Sequence, residues 1–265
     1  MLYSISFLLL CTMVFNSDCY TFSWKNLNPF KGEIIEDKPF QKEYDFDEGG
    51  EVTIENKIGN ITVKGWTQKK IRLEARKKGT NDEVYYTSMS IKINNKTAYI
   101  TTVAEDQDDI AEVEYFLYVP NQTSVKARTK DGKIKTEKID ALVDLITENG
   151  DVSVDAINSV QAKALNGTVK LKLRRLAPNG YAFIESYNDS NLFLANTLNT
   201  NLRLKTLGKN SKIESDMYLT VEPITTKLNK ESWERVKRDV KATIGTGDAP
   251  ITVDVIKGNI KITEL

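Results

Sequence analysis

Residues 125–173 read VKARTKDGKIKTEKIDALVDLITENGDVSVDAINSVQAKALNGTVKLKL, and this stretch decides the fold. It holds three near-copies of one unit, aligned on Gly132, Gly150 and Gly167. Seven residues before each glycine stand Val125, Val143 and Val160, and five before stand Ala127, Leu145 and Ala162. Three before stand Thr129, Thr147 and Ala164; two after stand Ile134, Val152 and Val169. Every second position is small, apolar or Thr, and those between are mostly charged or polar. Period-two alternation marks a half-buried strand. Each glycine follows Asp131, Asn149 or Asn166, pairs that supply the positive φ of a tight turn.

The glycines lie 18 and 17 residues apart. A fixed period of this size predicts a repeat architecture, with one coil per repeat and equivalent positions stacked in parallel. The predicted fold class is all-β, a parallel β-helix-like solenoid with coils of about 17–20 residues. Stacking sets Lys126 over Asp144, Lys130 over Glu148 and Lys133 over Asp151, so charge alternates in sign from coil to coil. Ordinary antiparallel hairpins through the same Asn-Gly turns stand as the alternative.

Outward from this centre the pattern continues with longer strands on the N-terminal side. Val52, Ile54, Ile61 and Val63 flank Gly59, and Ile251, Val253, Ile260 and Ile262 repeat the core offsets around Gly258. The structural residues expected from these turns are Gly59, Gly132, Gly150, Gly167 and Gly258, each read as a tight turn that needs positive φ. Residues 77–82 read as a charged turn. In residues 229–241, Trp233, Val236 and Val240 fall at helical spacing and mark a helical candidate, with a charged strand edge as the alternative.

Composition narrows the chemistry. Among 265 residues, lysine plus arginine and aspartate plus glutamate number 37 each, so no net field points to nucleic acid or an anionic membrane. There is no histidine, which removes the commonest general base and metal ligand. Both cysteines, Cys11 and Cys19, lie in an N-terminal stretch, without charged side chains over residues 1–17, that reads as a signal peptide over 1–19. An uncleaved anchor or lipidation at Cys19 are the other outcomes, and membrane contact is expected only through this segment. Residues 20–43 read as a polar spacer, and 44–265 as the β-strand-repeat domain.

Three stretches resemble the bacterial envelope family of adhesin-like proteins with β-strand repeats. They are Glu55-Asn-Lys-Ile-Gly-Asn-Ile-Thr-Val-Lys-Gly-Trp66, the strand end Tyr118-Val-Pro120, and Gly245-Thr-Gly-Asp-Ala-Pro-Ile-Thr-Val253 followed by Lys257-Gly-Asn-Ile-Lys-Ile262. The resemblance covers about residues 44–265. It implies a β-helix-like fold outside the cytoplasm, in the periplasm, on the surface or secreted. It brings no catalytic residues, and for some relatives it implies an envelope-stress role.

Candidate chemistry is sparse. Gly245-Thr-Gly-Asp lacks the spacing of a phosphate loop and reads as a turn. The acidic run Glu105–Asp109 has oxygens enough for calcium but not the spacing of a calcium loop, and reads as a solvated loop. Lys126, Arg128, Lys130, Lys133, Lys135, Lys170, Lys172, Arg174 and Arg175 offer a patch for acidic glycans, with self-pairing against Asp144, Glu148, Asp151 and Asp155 the preferred reading. No catalytic, cofactor or metal residues are assigned. The expected function is a non-catalytic, exported, adhesin-like interaction module whose partner is an envelope protein or glycan. A periplasmic sensor or scaffold in an envelope-stress pathway, and a polysaccharide-active β-helix enzyme, are the alternatives.

Overall fold

A computed structural model of the chain describes residues 33–104, 110–222 and 237–265. The expected signal segment, most of the spacer, the Glu105–Asp109 run and Trp233 and Val236 of the helical candidate lie outside the described residues.

The chain is all-β and forms two large, mostly parallel sheets. The first runs in the order Ile35–Glu36, Lys70–Gly79, Glu112–Pro120, Ile61–Trp66, Ile134–Ile139, Val152–Ala156, Val169–Leu173, Ser190–Leu194, Ile260–Glu264 and Ile213–Ser215; Phe40–Asp45 also pairs with Lys70–Gly79. The second runs Thr220–Val221, Asp239–Ile244, Thr200–Thr206, Ala249–Val255, Ala182–Ser186, Val160–Ala164, Val143–Asn149, Ser124–Asp131, Glu51–Ile58, Thr97–Ala104 and Thr87–Ile93. From Glu112 to Ser215 successive strands alternate between the sheets. Each therefore pairs in parallel with strands that are not its sequence neighbours, and not with its sequence neighbour as a hairpin would.

Alternation explains the core. Inward positions of the first sheet stack as Ile61, Ile134, Val152, Val169, Ser190 and Ile260. Those of the second stack as Ile54, Ala127, Leu145, Ala162, Ile184, Val253 and Leu204. The apolar members are buried in one continuous cluster between the sheets, and Ser190 is buried with them. Neighbouring strands stand about 4.8 Å apart, so each column is close-packed along the stack.

A third column, Asn56, Thr129, Thr147, Ala164, Ser186, Val255 and Thr206, runs beside the turns. Its threonine hydroxyls serve turn carbonyls of the adjacent layer. Thr129 Oγ1 donates to the Gly59 carbonyl at 3.2 Å, Thr147 Oγ1 to Gly132 at 2.8 Å and Thr206 Oγ1 to Gly258 at 2.9 Å. A buried carbonyl deprived of its donor is costly. Thr147→Val is therefore expected to lower stability by about 1–2 kcal/mol in urea unfolding, although it keeps the side-chain shape.

Positive φ, the reading that Asp131-Gly132 and Asn149-Gly150 suggest, is only part of what these glycines supply. Positive φ is found at Gly59 (115°), Gly132 (156°) and Gly150 (150°), but not at Gly167 or Gly258. What the five positions share is close approach between layers. A Cβ on Gly132 would stand 2.1 Å from the Gly59 carbonyl oxygen, one on Gly150 2.1 Å from that of Gly132, and one on Gly167 1.7 Å from that of Gly150. On Gly59 it would meet the Val113 carbonyl oxygen at 2.3 Å, and on Gly258 the Asn188 carbonyl carbon at 2.3 Å.

Three local expectations are corrected. The sheet begins before Tyr44, because Ile35–Glu36 and Phe40–Asp45 pair with Lys70–Gly79. The charged turn at 77–82 is the end of that strand followed by a helix, Asn81–Tyr86, opened by a capping box between Thr80 and Glu83. The end of the helical candidate is strand: Asp239–Ile244 pairs antiparallel with Thr200–Thr206, setting Val240 opposite Leu204. At Val240 sheet pairing overrides the helical reading.

Candidate interaction surface

Residues between the inward positions face solvent in registered rows. On the second sheet one row reads Thr53, Lys126, Asp144, Gln161 and Phe183, and the next Glu55, Arg128, Ile146, Lys163 and Glu185. Lys126 is the register partner of Asp144, yet the ion pairs run diagonally and outward. Lys126 Nζ lies 3.0 Å from Glu51 and Arg128 3.4 Å from Asp144. Long side chains reach a diagonal neighbour as easily as the one opposite. Lys133 meets Asp151 at 3.2 Å, and Lys163 meets Glu185 at 3.2 Å. Lys130 and Glu148 form no ion pair.

The basic residues do not assemble into one patch. Lys126 and Arg128 belong to the second sheet, whereas Lys135, Lys170 and Lys172 belong to the first. Lys135 pairs with Glu137, Arg174 pairs with Asp155, and Lys170 Nζ sits 4.9 Å from the centre of the Phe193 ring. Arg175, near Asp248, lines a small cleft at the loop ends. On the first sheet's outer face Trp66 stacks on Tyr118 at 5.4 Å, with the Arg72 guanidinium 5.8 Å from the Tyr118 ring. Sequence reasoning passed over Tyr118 and Trp66 as surface groups, because alternation assigns them a side but not their neighbours.

The turn edge is stitched by side chains. Asn149 Nδ2 donates to Asp131 Oδ1 at 2.7 Å, and Asn166 Nδ2 to Asn149 Oδ1 at 2.9 Å. One residue on, Asn60 Oδ1 accepts from the Lys133 amide, Asp151 Oδ1 from the Thr168 amide and Asp189 Oδ1 from the Asn259 amide. The residues flanking each glycine thus bond from layer to layer along the edge.

Two carboxylates, Glu137 and Asp37, are held as anions. The Lys135 ammonium, followed in effect by Lys64, keeps Glu137 below the ordinary carboxylate range. The Lys38 amide and the Lys77 ammonium do the same for Asp37. General acid catalysis calls for the opposite shift. Among the described residues, no group of three or more Asp, Glu, Cys or His stands together as a metal site. Among them, too, no helix is long and apolar enough to cross a membrane.

A cleft of about 250 Å³ beside Lys57, Thr102, Val103, Lys130 and Asp131 lies next to a buried polar chain. The Tyr115 hydroxyl is 2.8 Å from that of Thr102, and Thr102 donates to Asn56 Oδ1 at 2.7 Å. Asn56 in turn donates to the Val113 carbonyl at 2.7 Å. Burial pushes the Tyr115 hydroxyl up to about 12, against the lesser opposing effect of the Thr102 bond. An unfolded tyrosine ionises near pH 10, whereas Tyr115 in the fold keeps its proton to about pH 12. In that window the unfolded chain binds fewer protons, so stability falls as pH rises. Tyr115→Phe is expected to remove about 2–3 kcal/mol of the alkaline loss, read from urea unfolding at pH 9 and pH 12.

No protein-family model matches the sequence, and no curated protein matches it. Among solved structures, the chain is similar to a candidate cell adhesion protein from Clostridium sporogenes at 13% identity and a TM-score of 0.48, over 86% of this chain and 100% of that one. It is similar to a candidate adhesin from Bacteroides fragilis at 13% identity and a TM-score of 0.31, over 86% and 97%. A candidate lipid-binding protein from Parabacteroides distasonis follows at 9% identity and a TM-score of 0.24, over 86% and 96%. At these scores none of the three assigns a fold or a function to the chain.

Proposed function

We propose that the chain is a non-catalytic, exported interaction module of the bacterial envelope, adhesin-like in role, whose body is a two-sheet β-solenoid. It holds an envelope protein or glycan by weak contacts repeated along an outward face. The observation that carries this reading is the registered outward rows. They offer lysine, arginine, carboxylate and aromatic groups at intervals of about 4.8 Å on a stiff support. Groups fixed at a regular interval suit an extended partner, because each contact made raises the effective concentration for the next.

Fractionation of cells expressing the full chain, with protease applied to intact cells, tests this. The expected result is an exported chain digested on intact cells. Protection until the outer layer is opened favours a periplasmic sensor or scaffold instead, and a cytosolic chain overturns the envelope assignment. Turnover of uronate polymers by the purified chain overturns the non-catalytic assignment.

A further inference from the structure

The four sheet ends differ in a way that points to a partner. An open sheet edge offers unpaired amides and carbonyls, and proteins blunt such edges with short strands, charge or proline. Among the described residues, three of these ends are blunted. The first sheet stops at Ile213–Ser215 on one side. On the other it stops at Ile35–Glu36 and at Phe40–Asp45, a strand that follows Pro39 and carries Lys42, Glu43 and Asp45. The second sheet stops at the two-residue strand Thr220–Val221. Its far end is Thr87–Ile93, seven residues with one charge, Lys92, and no proline. Met89, Ile91 and Ile93 of this strand pack against the core but are only partly covered. A shallow trough of about 470 Å³ runs beside Ile91, Lys92 and Ile93.

We propose that Thr87–Ile93 is the docking edge for a second copy of this chain, paired antiparallel across a two-fold axis at Ser90. The strand is complementary to itself in that register. Met89 stands opposite Ile91 of the other copy, so the partly covered apolar side chains meet one another and prolong the core. Lys92 stands opposite Ser88, so no charge faces its like. An in-register parallel pairing would set Lys92 against Lys92, which is unfavourable. The two-fold makes the contact isologous and closed, so it gives a dimer and not a fibre. Main-chain hydrogen bonds across the new pair supply affinity as in other strand additions.

Ser88 and Lys92 are both exposed and lie on the outward face, so changes at Ser88 test the register without disturbing the core. Sedimentation equilibrium of the full chain up to about 100 μM is expected to show a monomer–dimer equilibrium. Ser88→Lys places two like-charge pairs across the axis and is expected to weaken the dimer about tenfold. Ser88→Glu places two opposite-charge pairs there and is expected to tighten it by a similar factor. Both variants should melt with the parent. A chain that stays monomeric over the whole range overturns the proposal, and so does a dimer that both substitutions shift in the same direction or leave unchanged. Either failure leaves the envelope role untouched, since cell fractionation reads that separately.

Discussion

Gly150→Val is expected to lower stability by about 4 kcal/mol or more, or to leave the chain unfolded, and Gly150→Ala to cost nearly as much. The first carbon of any side chain at this position would lie 2.1 Å from the Gly132 carbonyl oxygen, well inside contact distance. The obstacle is backbone, which cannot swing aside as a side chain can. Relief would require two layers to separate at the turn edge, and the Gly150 carbonyl itself lies against Gly167 in the next layer. Separation also stretches the Thr147 bond to the Gly132 carbonyl. Gly49 is the control. Its φ is +71°, and nothing stands within 4 Å of a Cβ there, so Gly49→Ala meets only the left-handed backbone penalty of about 1–2 kcal/mol. Thermal melting and urea unfolding of the two alanine variants check the contrast. Equal losses at Gly49 and Gly150 would show that conformation, and not interlayer contact, is what requires glycine.

Leu145→Ala is the second large effect, with an expected loss of about 3–5 kcal/mol, at the upper end for such truncations. Leu145 is fully buried at the middle of its inward column. Its neighbours above and below are Ala127 and Ala162, which have no side chain beyond Cβ to fill the space. The column is pinned by parallel hydrogen bonding on both sides, so the strands cannot close the gap by sliding. The cavity therefore persists, and its cost adds to the lost burial. The adjacent residue, Ile146, points outward, and Ile146→Ala is expected to change stability by no more than about 0.5 kcal/mol. A small loss for Leu145→Ala, in urea unfolding with an unchanged m-value, would mean that the two sheets approach each other more readily than the columns suggest.

Much of this fold is written in residues 125–173. Period two is a purely local consequence of the pleat, so which side chains of Val143–Asn149 or Val160–Ala164 face inward is decided before any partner strand is known. The regular spacing of Gly132, Gly150 and Gly167 then sets the register, because layers of equal length bring equivalent residues together. Gly59 and Gly258 were legible as members of the same column from their flanking offsets alone. The stacking of Lys133 on Asp151 was legible for the same reason.

The order of the layers was decided only in three dimensions. Ala249–Val255 and Ile260–Glu264 lie between the layer of Ala182–Leu194 and that of Thr200–Ser215, out of chain order. Glu51–Ile58 and Ile61–Trp66 likewise sit beside Ser124–Ile139, with Thr97–Ala104 and Glu112–Pro120 beyond them. Alternation cannot reveal this, since every strand shows the same pattern to any neighbour; the choice rests on which apolar columns fit. The interlayer contact at each glycine was hidden too, because a close approach leaves the same glycine signature as a tight turn. So were the ion pairs of Lys126 and Arg128, which depend on side-chain reach across diagonals. What the sequence determined alone was local: period, facing and the spacing of the turn glycines. What the tertiary structure decided was non-local: layer order, the backbone contact that each glycine permits, and which sheet edge, among the described residues, is left long and nearly uncharged.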